Sequence, residues 1–129
     1  MKSVVFIGLF LSCIQFSASA QTATEQAGGL SWYTDLAQAR ELSEASNKPI
    51  FGFFTGSDWC GWCRKLQSDV FEKAAFVTWA KKNVILLELD FPRRKQLSTD
   101  LAQQNQALQQ AFQVRGYPTI WIFYVSEDP

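Results

Sequence analysis

The sequence has 129 residues, with 12 basic and 12 acidic side chains and no histidine. Its basic residues form no cluster beyond Arg93-Arg94-Lys95, which we expect in a solvated loop, so the charge pattern excludes a nucleic-acid-binding surface. An apolar content of 47%, with 15% aromatic residues, favours a well-packed globular chain over a disordered one. A chain of this length suits a single domain.

The first twenty residues have the pattern of a secretory signal peptide. Lys2 supplies a positive start, Val4 to Leu11 form an apolar stretch, and Ala18-Ser19-Ala20 match an A-x-A cleavage site. The apolar stretch is shorter than the roughly 20 residues that span a bilayer. We therefore predict cleavage after Ala20, no membrane span in the mature chain, and a periplasmic or secreted protein. Lipid attachment at Cys13 is a minor alternative, because large residues precede this cysteine.

Residues 21–29 are small and polar, and we predict that they form a flexible lead-in to one domain that spans residues 30–129. Within that domain, helical and extended patterns alternate. Helices are predicted from Thr34 to Asn47, from Cys60 past Leu66, from Val70 to Asn83, and along the face Leu97, Leu101, Leu108 and Phe112. Buried strands are predicted from Pro49 to Phe54, from Val84 to Asp90 and from Thr119 to Val125. This order predicts an α/β fold with parallel strand pairing and helices on the faces of the sheet.

The cysteines are the sharpest chemical signal in the sequence. After signal cleavage only Cys60 and Cys63 remain, so they can pair only with each other. A disulfide that closes so short a loop constrains the unfolded chain very little, which makes a structural role a weak explanation. At the start of a helix both sulfur atoms lie on the first turn, where free amides and the helix dipole favour a Cys60 thiolate.

The two cysteines belong to a larger pattern. Trp59-Cys60-Gly61-Trp62-Cys63 follows a predicted buried strand, and Tyr117-Pro118 precedes the last strand. Together these motifs resemble the thioredoxin superfamily over residues 30 to 125, and more closely secreted thioredoxin-like proteins, including the reductase domains of thiol–disulfide interchange proteins. The resemblance implies a thioredoxin-like fold with a central mixed sheet flanked by helices. It also implies that Tyr117-Pro118 is a cis peptide that faces the cysteines.

The predicted function is that of a protein thiol–disulfide oxidoreductase without a cofactor. Cys60 is the expected attacking nucleophile and Cys63 the resolving cysteine. Trp59, Gly61, Trp62, Tyr117 and Pro118 are the expected substrate-binding residues, although ordinary packing is an alternative for the two tryptophans. The expected partners are protein dithiols or disulfides and a separate redox protein. The alternative is a redox-inert thioredoxin-fold module that binds peptides or acts as a chaperone.

The usual proton-handling residues of thioredoxins are replaced in this chain. Phe54 stands where the family carries a buried aspartate, and Leu86 stands where that aspartate's lysine partner lies. Another group or a water molecule must therefore accept the proton of Cys63. Glu88 and Asp90, on the neighbouring predicted strand, are candidates between which the sequence does not choose.

Two further features depart from the family pattern. The dipeptide between the cysteines is Gly61-Trp62 and the chain has no histidine, which favours a reductant or a mid-range exchanger over a strong oxidant. The usual final strand and helix are missing after Val125, so we expect a truncated sequence in which Thr119 to Val125 form an exposed apolar edge strand.

A metal site is the remaining alternative for a C-x-x-C pair. A structural zinc needs about four ligands, and the cleaved chain offers no third cysteine and no histidine. Covalent haem attachment is excluded because Arg64, and not a histidine, follows Cys63. We therefore predict that the pair binds no metal.

Overall fold

The structure, a computed structural model, describes residues 24–26 and 29–126. The predicted signal peptide and Cys13 lie outside the described residues. Strands and helices follow one another in this order: β1 (Thr24–Gln26), β2 (Leu30–Tyr33), α1 (Leu36–Ser46), β3 (Ile50–Thr55), α2 (Gly61–Leu66), a π-helical segment (Gln67–Phe71), α3 (Ala74–Asn83), β4 (Ile85–Asp90), α4 (Thr99–Ala111) and β5 (Thr119–Phe123).

The five strands form one sheet in the order β1-β2-β4-β3-β5. β4 pairs in parallel with both β2 and β3, whereas β1 is antiparallel to β2 and β5 is antiparallel to β3. The mixed sheet implied by the family resemblance is confirmed, and the parallel pairing inferred from element order is wrong for β5. β3 and β4 end side by side, with Thr55 opposite Asp90. The first residue of β5, Thr119, pairs with Phe54 near this same end, so β5 runs back along β3 in the opposite direction.

The amino-terminal side of the sheet was not anticipated from the sequence. Strand β2 is short, but its residues Leu30 and Trp32 are buried in the core. Strand β1 pairs with β2, with Thr24 opposite Trp32 and Gln26 opposite Leu30. The prediction of a flexible lead-in is therefore wrong for residues 24–26. The pairing is local, with Gln26 only four residues before Leu30, but small polar residues have little strand propensity and therefore did not predict a strand.

The core consists of two hydrophobic clusters, and successive residues of β3 contribute to one cluster and then to the other. Phe51 and Phe53 belong to the first cluster, together with both cysteines, and Ile50 and Phe54 belong to the second. Because side chains alternate along a strand, the two clusters lie on opposite faces of the sheet. Every residue of β3 is buried, as expected for a central strand covered on both faces.

Strand β5 lies at the edge of the sheet and pairs only with β3. Its residues Ile120, Trp121 and Ile122 are 38%, 43% and 51% exposed, so the prediction of a third buried strand is wrong. The apolar run predicts burial by itself, but burial depends on a covering element, and no described strand pairs with the outer edge of β5. Within the described residues, β5 therefore forms the exposed, apolar edge strand that was expected from the sequence.

The helices begin and end close to their predicted limits. The Asp35 side chain caps α1 by accepting the N–H of Gln38 at 3.0 Å, and Asn47 ends the helix with a left-handed φ of 53°. The helix predicted from Val70 begins only at Ala74, because the π-helical segment first brings Phe71 into the core. In the part of the chain described above, no helix combines the length and the apolar character needed to cross a membrane.

Candidate redox site

The two cysteines lie at the start of α2, directly after the loop that follows β3. Cys60 is the N-cap of the helix, with an extended backbone (φ −84°, ψ 99°), and its Sγ accepts the N–H of Cys63 at 3.2 Å. A disulfide joins Cys60 to Cys63 across a Cα–Cα distance of 5.3 Å. In the reduced state the same N–H and the helix terminus would stabilise a thiolate at Cys60. The arrangement therefore suits thiol–disulfide exchange.

The Tyr117-Pro118 peptide is cis, and it lies against the redox loop. The ring of Tyr117 contacts Trp59 edge-on, with centroids 5.7 Å apart and planes at 89°. Its hydroxyl accepts a hydrogen bond from Nε2 of Gln109 at 2.6 Å. Burial raises the pKa of the Tyr117 hydroxyl above its usual value, although the Gln109 bond opposes this effect. The fold thus brings together two motifs that are far apart in the sequence.

An open groove of about 360 Å³ lies beside α2 and is lined in part by Trp62, the residue before Cys63. Its lining is mainly apolar and includes Pro118, with the Lys65–Asp69 ion pair as its charged part; the residues are Trp62, Lys65, Leu66, Asp69, Val70 and Pro118. Trp62 is 72% exposed, and a Cβ added to Gly61 would meet no atom within 4 Å. A polypeptide can therefore approach the surface beside the cysteines.

Trp59 makes internal contacts, in contrast to Trp62. Its indole N–H donates to the carbonyl oxygen of Phe91 at 2.8 Å, and the guanidinium carbon of Arg93 lies 3.8 Å from its ring centroid. The ring also covers Gly56 closely enough that a Cβ there would overlap the indole. The packing alternative therefore describes the observed contacts of Trp59, whereas Trp62 offers a free apolar face.

Two aspartates join the redox loop to the end of β4 and the segment after it, and only Asp90 of the two was singled out from the sequence. The Asp58 carboxylate accepts the backbone N–H groups of Arg93, Arg94 and Lys95 at 2.9, 2.7 and 3.0 Å, and these bonds lower its pKa to about 2. The basic triplet, expected in a solvated loop, is exposed, but its backbone holds this carboxylate. An aspartate in a loop next to a helix start was the available signal, since this residue often accepts backbone N–H groups.

Asp90 is the second of these aspartates and is only 6% exposed. It accepts hydrogen bonds from the backbone N–H and the hydroxyl of Ser57 at 2.8 and 2.6 Å, and it forms an ion pair with Lys95 at 2.8 Å. Among the described residues it is the single buried carboxylate. The ion pair also raises the pKa of Lys95, because a hydrogen bond to the carboxylate favours its charged form.

The positions of Phe54 and Leu86 are apolar in the structure as well as in the sequence. Phe54 is fully buried and packs against Phe91 and Phe112, with centroids 6.3 and 6.1 Å away. Leu86 belongs to the opposite cluster, and the residue beside Phe54 on β4 is Leu89. No carboxylate–lysine pair is therefore formed at these positions. Over residues 24–26 and 29–126, no three cysteine, aspartate, glutamate or histidine residues lie close enough together to hold a metal ion.

Comparison with known proteins gives a consistent result. A sequence model of the thioredoxin-like family matches residues 31–124. The disulfide bond reductase DsbH of Chlamydia pneumoniae is 31% identical, with 93% of this chain and 77% of that protein aligned. The thioredoxin-related protein DsbJ of the same organism is 22% identical over 92% of this chain, but the match covers only 34% of DsbJ.

Solved structures agree with the sequence comparison. A DsbH oxidoreductase superposes with a TM-score of 0.69 and 34% identity, covering 84% of this chain and 74% of that one. A thioredoxin from Thermus thermophilus, at 17% identity, superposes with a TM-score of 0.55 over 72% of this chain and 63% of that one, and this match supports the fold alone. From the matched family model, the DsbH similarity and the Cys60–Cys63 disulfide, we conclude that the chain belongs to the thioredoxin-like family and is a thiol–disulfide oxidoreductase.

Proposed function

We propose that this protein reduces disulfides in protein substrates, or exchanges them at a mid-range potential, through the Cys60–Cys63 pair. The observation that carries the proposal is the N-cap position of Cys60, whose Sγ accepts the N–H of Cys63. A thiolate at that atom gains a hydrogen bond and the positive end of the helix dipole. Thiolate, and not thiol, is the attacking form in disulfide exchange.

The proposed reaction has two exchange steps. The Cys60 thiolate attacks one sulfur of a substrate disulfide, which forms a mixed disulfide and releases the other substrate sulfur as a thiolate. Cys63, after losing its proton, then attacks Sγ of Cys60, which re-forms the Cys60–Cys63 disulfide and releases the second substrate sulfur. The substrate gains two electrons and the enzyme pair loses two. A dithiol redox partner must return them before the next turnover, and no cofactor takes part.

We further propose that a substrate polypeptide lies across Gly61, Trp62 and the Tyr117-Pro118 peptide. The exposed ring of Trp62, the open space at Gly61 and the apolar groove that includes Pro118 support this proposal. Trp59 would not contact the substrate directly but would support Tyr117 through the contact between their rings. In this arrangement an apolar side chain of the substrate would occupy the groove beside the reacting cysteine.

The reducing direction is supported by two observations. The chain has no histidine, and the family's strong oxidants often use a histidine between the cysteines to stabilise the reduced thiolate. A similar protein, DsbH, is named a disulfide bond reductase.

We also propose that residues 1–20 are a signal peptide cleaved after Ala20 and that residues 30–129 function as one domain in the periplasm or outside the cell. The sequence pattern of residues 1–20 supports this location.

An insulin-reduction assay with dithiothreitol as electron donor tests the proposed activity. We expect turnover by the wild type and none above background by Cys60→Ser. The Cys63→Ser variant should accumulate covalent mixed disulfides with substrate, because the resolving step is removed. Equal turnover by wild type and Cys60→Ser would overturn the proposal in favour of a redox-inert peptide-binding module, and trapping only with Cys60→Ser would reverse the two roles.

The reduction potential of the pair tests the direction of the reaction. We expect a value between those of thioredoxin and protein disulfide isomerase, about −270 to −180 mV. Equilibration with glutathione redox buffers, read by alkylation and mass spectrometry, gives this value directly. A potential near that of strong oxidants such as DsbA, about −120 mV, would contradict the reductase assignment.

A further inference from the structure

The three residues before Cys60 all use their side chains to bind one other segment, Asp90–Lys95. The hydroxyl of Ser57 donates to Asp90, the carboxylate of Asp58 accepts three backbone N–H groups, and the indole of Trp59 donates to the carbonyl of Phe91. We refer to this set of hydrogen bonds between residues 57–59 and 90–95 as the clamp. The clamp links the redox loop to the end of the adjacent strand β4.

Asp58 makes the largest number of hydrogen bonds in the clamp. Its two oxygen atoms accept the N–H groups of three consecutive residues, which fixes the path of the chain from Arg93 to Lys95. This path places the Arg93 guanidinium over the ring of Trp59. Asp58 thus restrains its own loop directly and restrains Trp59 through Arg93.

The other side of the clamp is itself held by the core. The N–H of Phe91 donates to the carbonyl of Thr55 at 2.8 Å, and Nδ2 of Asn105 donates to the carbonyl of Asp90 at 2.9 Å. Asn105 and Asp90 are buried. Segment 90–95 is therefore connected to β3 and to α4, and it gives the redox loop a fixed support.

We propose that Asp58 is a positioning residue for Cys60, and that the clamp holds Cys60 in the extended conformation that caps α2. This inference rests on the proposed function, in which the Cys60 thiolate is the nucleophile. As the N-cap, Cys60 has an extended backbone although the next residue, Gly61, is already helical. The loop before Cys60 must therefore hold its backbone in this conformation. Without the clamp, Cys60 samples other conformations and its sulfur loses the N–H of Cys63.

If Asp58 positions Cys60, removing the Asp58 carboxylate changes the pKa of the Cys60 thiol in the direction opposite to the one expected from charge alone. Removing the negative charge of Asp58 should lower the pKa of the nearby Cys60 thiol, because a thiolate is then less repelled. Loss of positioning should raise that pKa towards the ordinary value of about 8.5, because the helix terminus no longer stabilises the thiolate. In the reduced protein the Cys63 thiol is the ionisable group next to Cys60. The other ionisable groups on the redox loop, on α2 and on the segments that contact this loop are Asp58, Asp90, Arg93, Arg94, Lys95, Tyr117, Arg64 and Lys65.

The test compares Asp58→Asn with the wild type in the reduced full-length chain. The rate at which iodoacetamide modifies Cys60 is measured against pH, with the site identified by peptide mass mapping. We expect Asp58→Asn to raise the Cys60 pKa by about one unit, which slows alkylation about tenfold at pH values below the pKa. Glu44→Gln is the matched control, since Glu44 is an exposed carboxylate bonded to Arg40 on α1, and it should leave the pKa unchanged.

Ser57→Ala provides a second measurement in which no charge changes. This variant removes only the hydroxyl bond to Asp90, so a rise in the Cys60 pKa there must come from positioning. An unchanged or lowered Cys60 pKa in folded Asp58→Asn would overturn the proposal; if that variant does not fold, an unchanged pKa in Ser57→Ala would overturn it. Failure of the proposed function is separate, because it would show as absent insulin reduction by the wild type itself.

Discussion

Gly56 lies under the indole of Trp59, and this contact predicts that adding a single methyl group at Gly56 destabilises the fold. A Cβ built on Gly56 overlaps Cε2, Nε1 and Cζ2 of the Trp59 ring, within a separation that real contacts do not reach. Gly56 is buried, and its carbonyl accepts the N–H of Cys60 at 2.8 Å, so its backbone is not free to shift away. In Gly56→Ala the indole must therefore move.

The expected cost of Gly56→Ala follows from the contacts that Trp59 would lose. Forcing an extra methyl group into a packed site costs about 1–3 kcal/mol. Loss of the indole hydrogen bond to Phe91 adds about 1 kcal/mol. We expect a total destabilisation of about 2–4 kcal/mol, which is a large part of the roughly 5–15 kcal/mol by which domains are stable.

Urea unfolding of the oxidised protein, followed by far-ultraviolet circular dichroism, measures this change. Gly116→Ala is the matched control, because a Cβ at Gly116 would meet no atom within 4 Å. The indole N–H resonance of Trp59, assigned with Trp59→Phe, should move in Gly56→Ala and stay in place in Gly116→Ala. If the two alanine variants unfold within about 0.5 kcal/mol of each other and the resonance does not move, the contact between Gly56 and Trp59 is not a fixed feature of the fold.

Three further predictions concern the core and pH. Phe53→Ala should cost about 3–5 kcal/mol in urea unfolding, since the ring is fully buried against Trp32 and Phe71, and an equal midpoint would contradict this packing. The lowered pKa of Asp58 should stabilise the fold at pH values above its unfolded-state pKa of about 3.9, and this contribution should disappear as the pH falls towards about 2. The thermal unfolding temperature should therefore depend less steeply on acid pH in Asp58→Asn than in Glu44→Gln. The raised pKa of Tyr117 should give stability below a pH of about 10 that is lost as the pH rises through the folded-state pKa, and Tyr117→Phe should remove this alkaline loss.

The redox pair and most of the local structure of this protein could be predicted from its residues alone. Cys60 and Cys63 are separated by two residues at a predictable helix start, and spacing and position along a helix are local properties. The run from Ile50 to Phe54 predicted a strand covered on both faces, and the structure confirms it. The segment from Trp59 to Cys63 and the Tyr117-Pro118 pair together indicated the family, because each stands in the expected order relative to the predicted strands.

The distant groups that support the redox loop became visible only in the folded chain. Asp58 and the backbone of Arg93 to Lys95 are 35 to 37 residues apart, so no local pattern could pair them. The reversal of β5 and the exposure of Ile122 likewise depend on which elements become neighbours. Local propensity and hydrophobic pattern describe what a segment can form, whereas its partners and its burial are set by contacts across the whole chain.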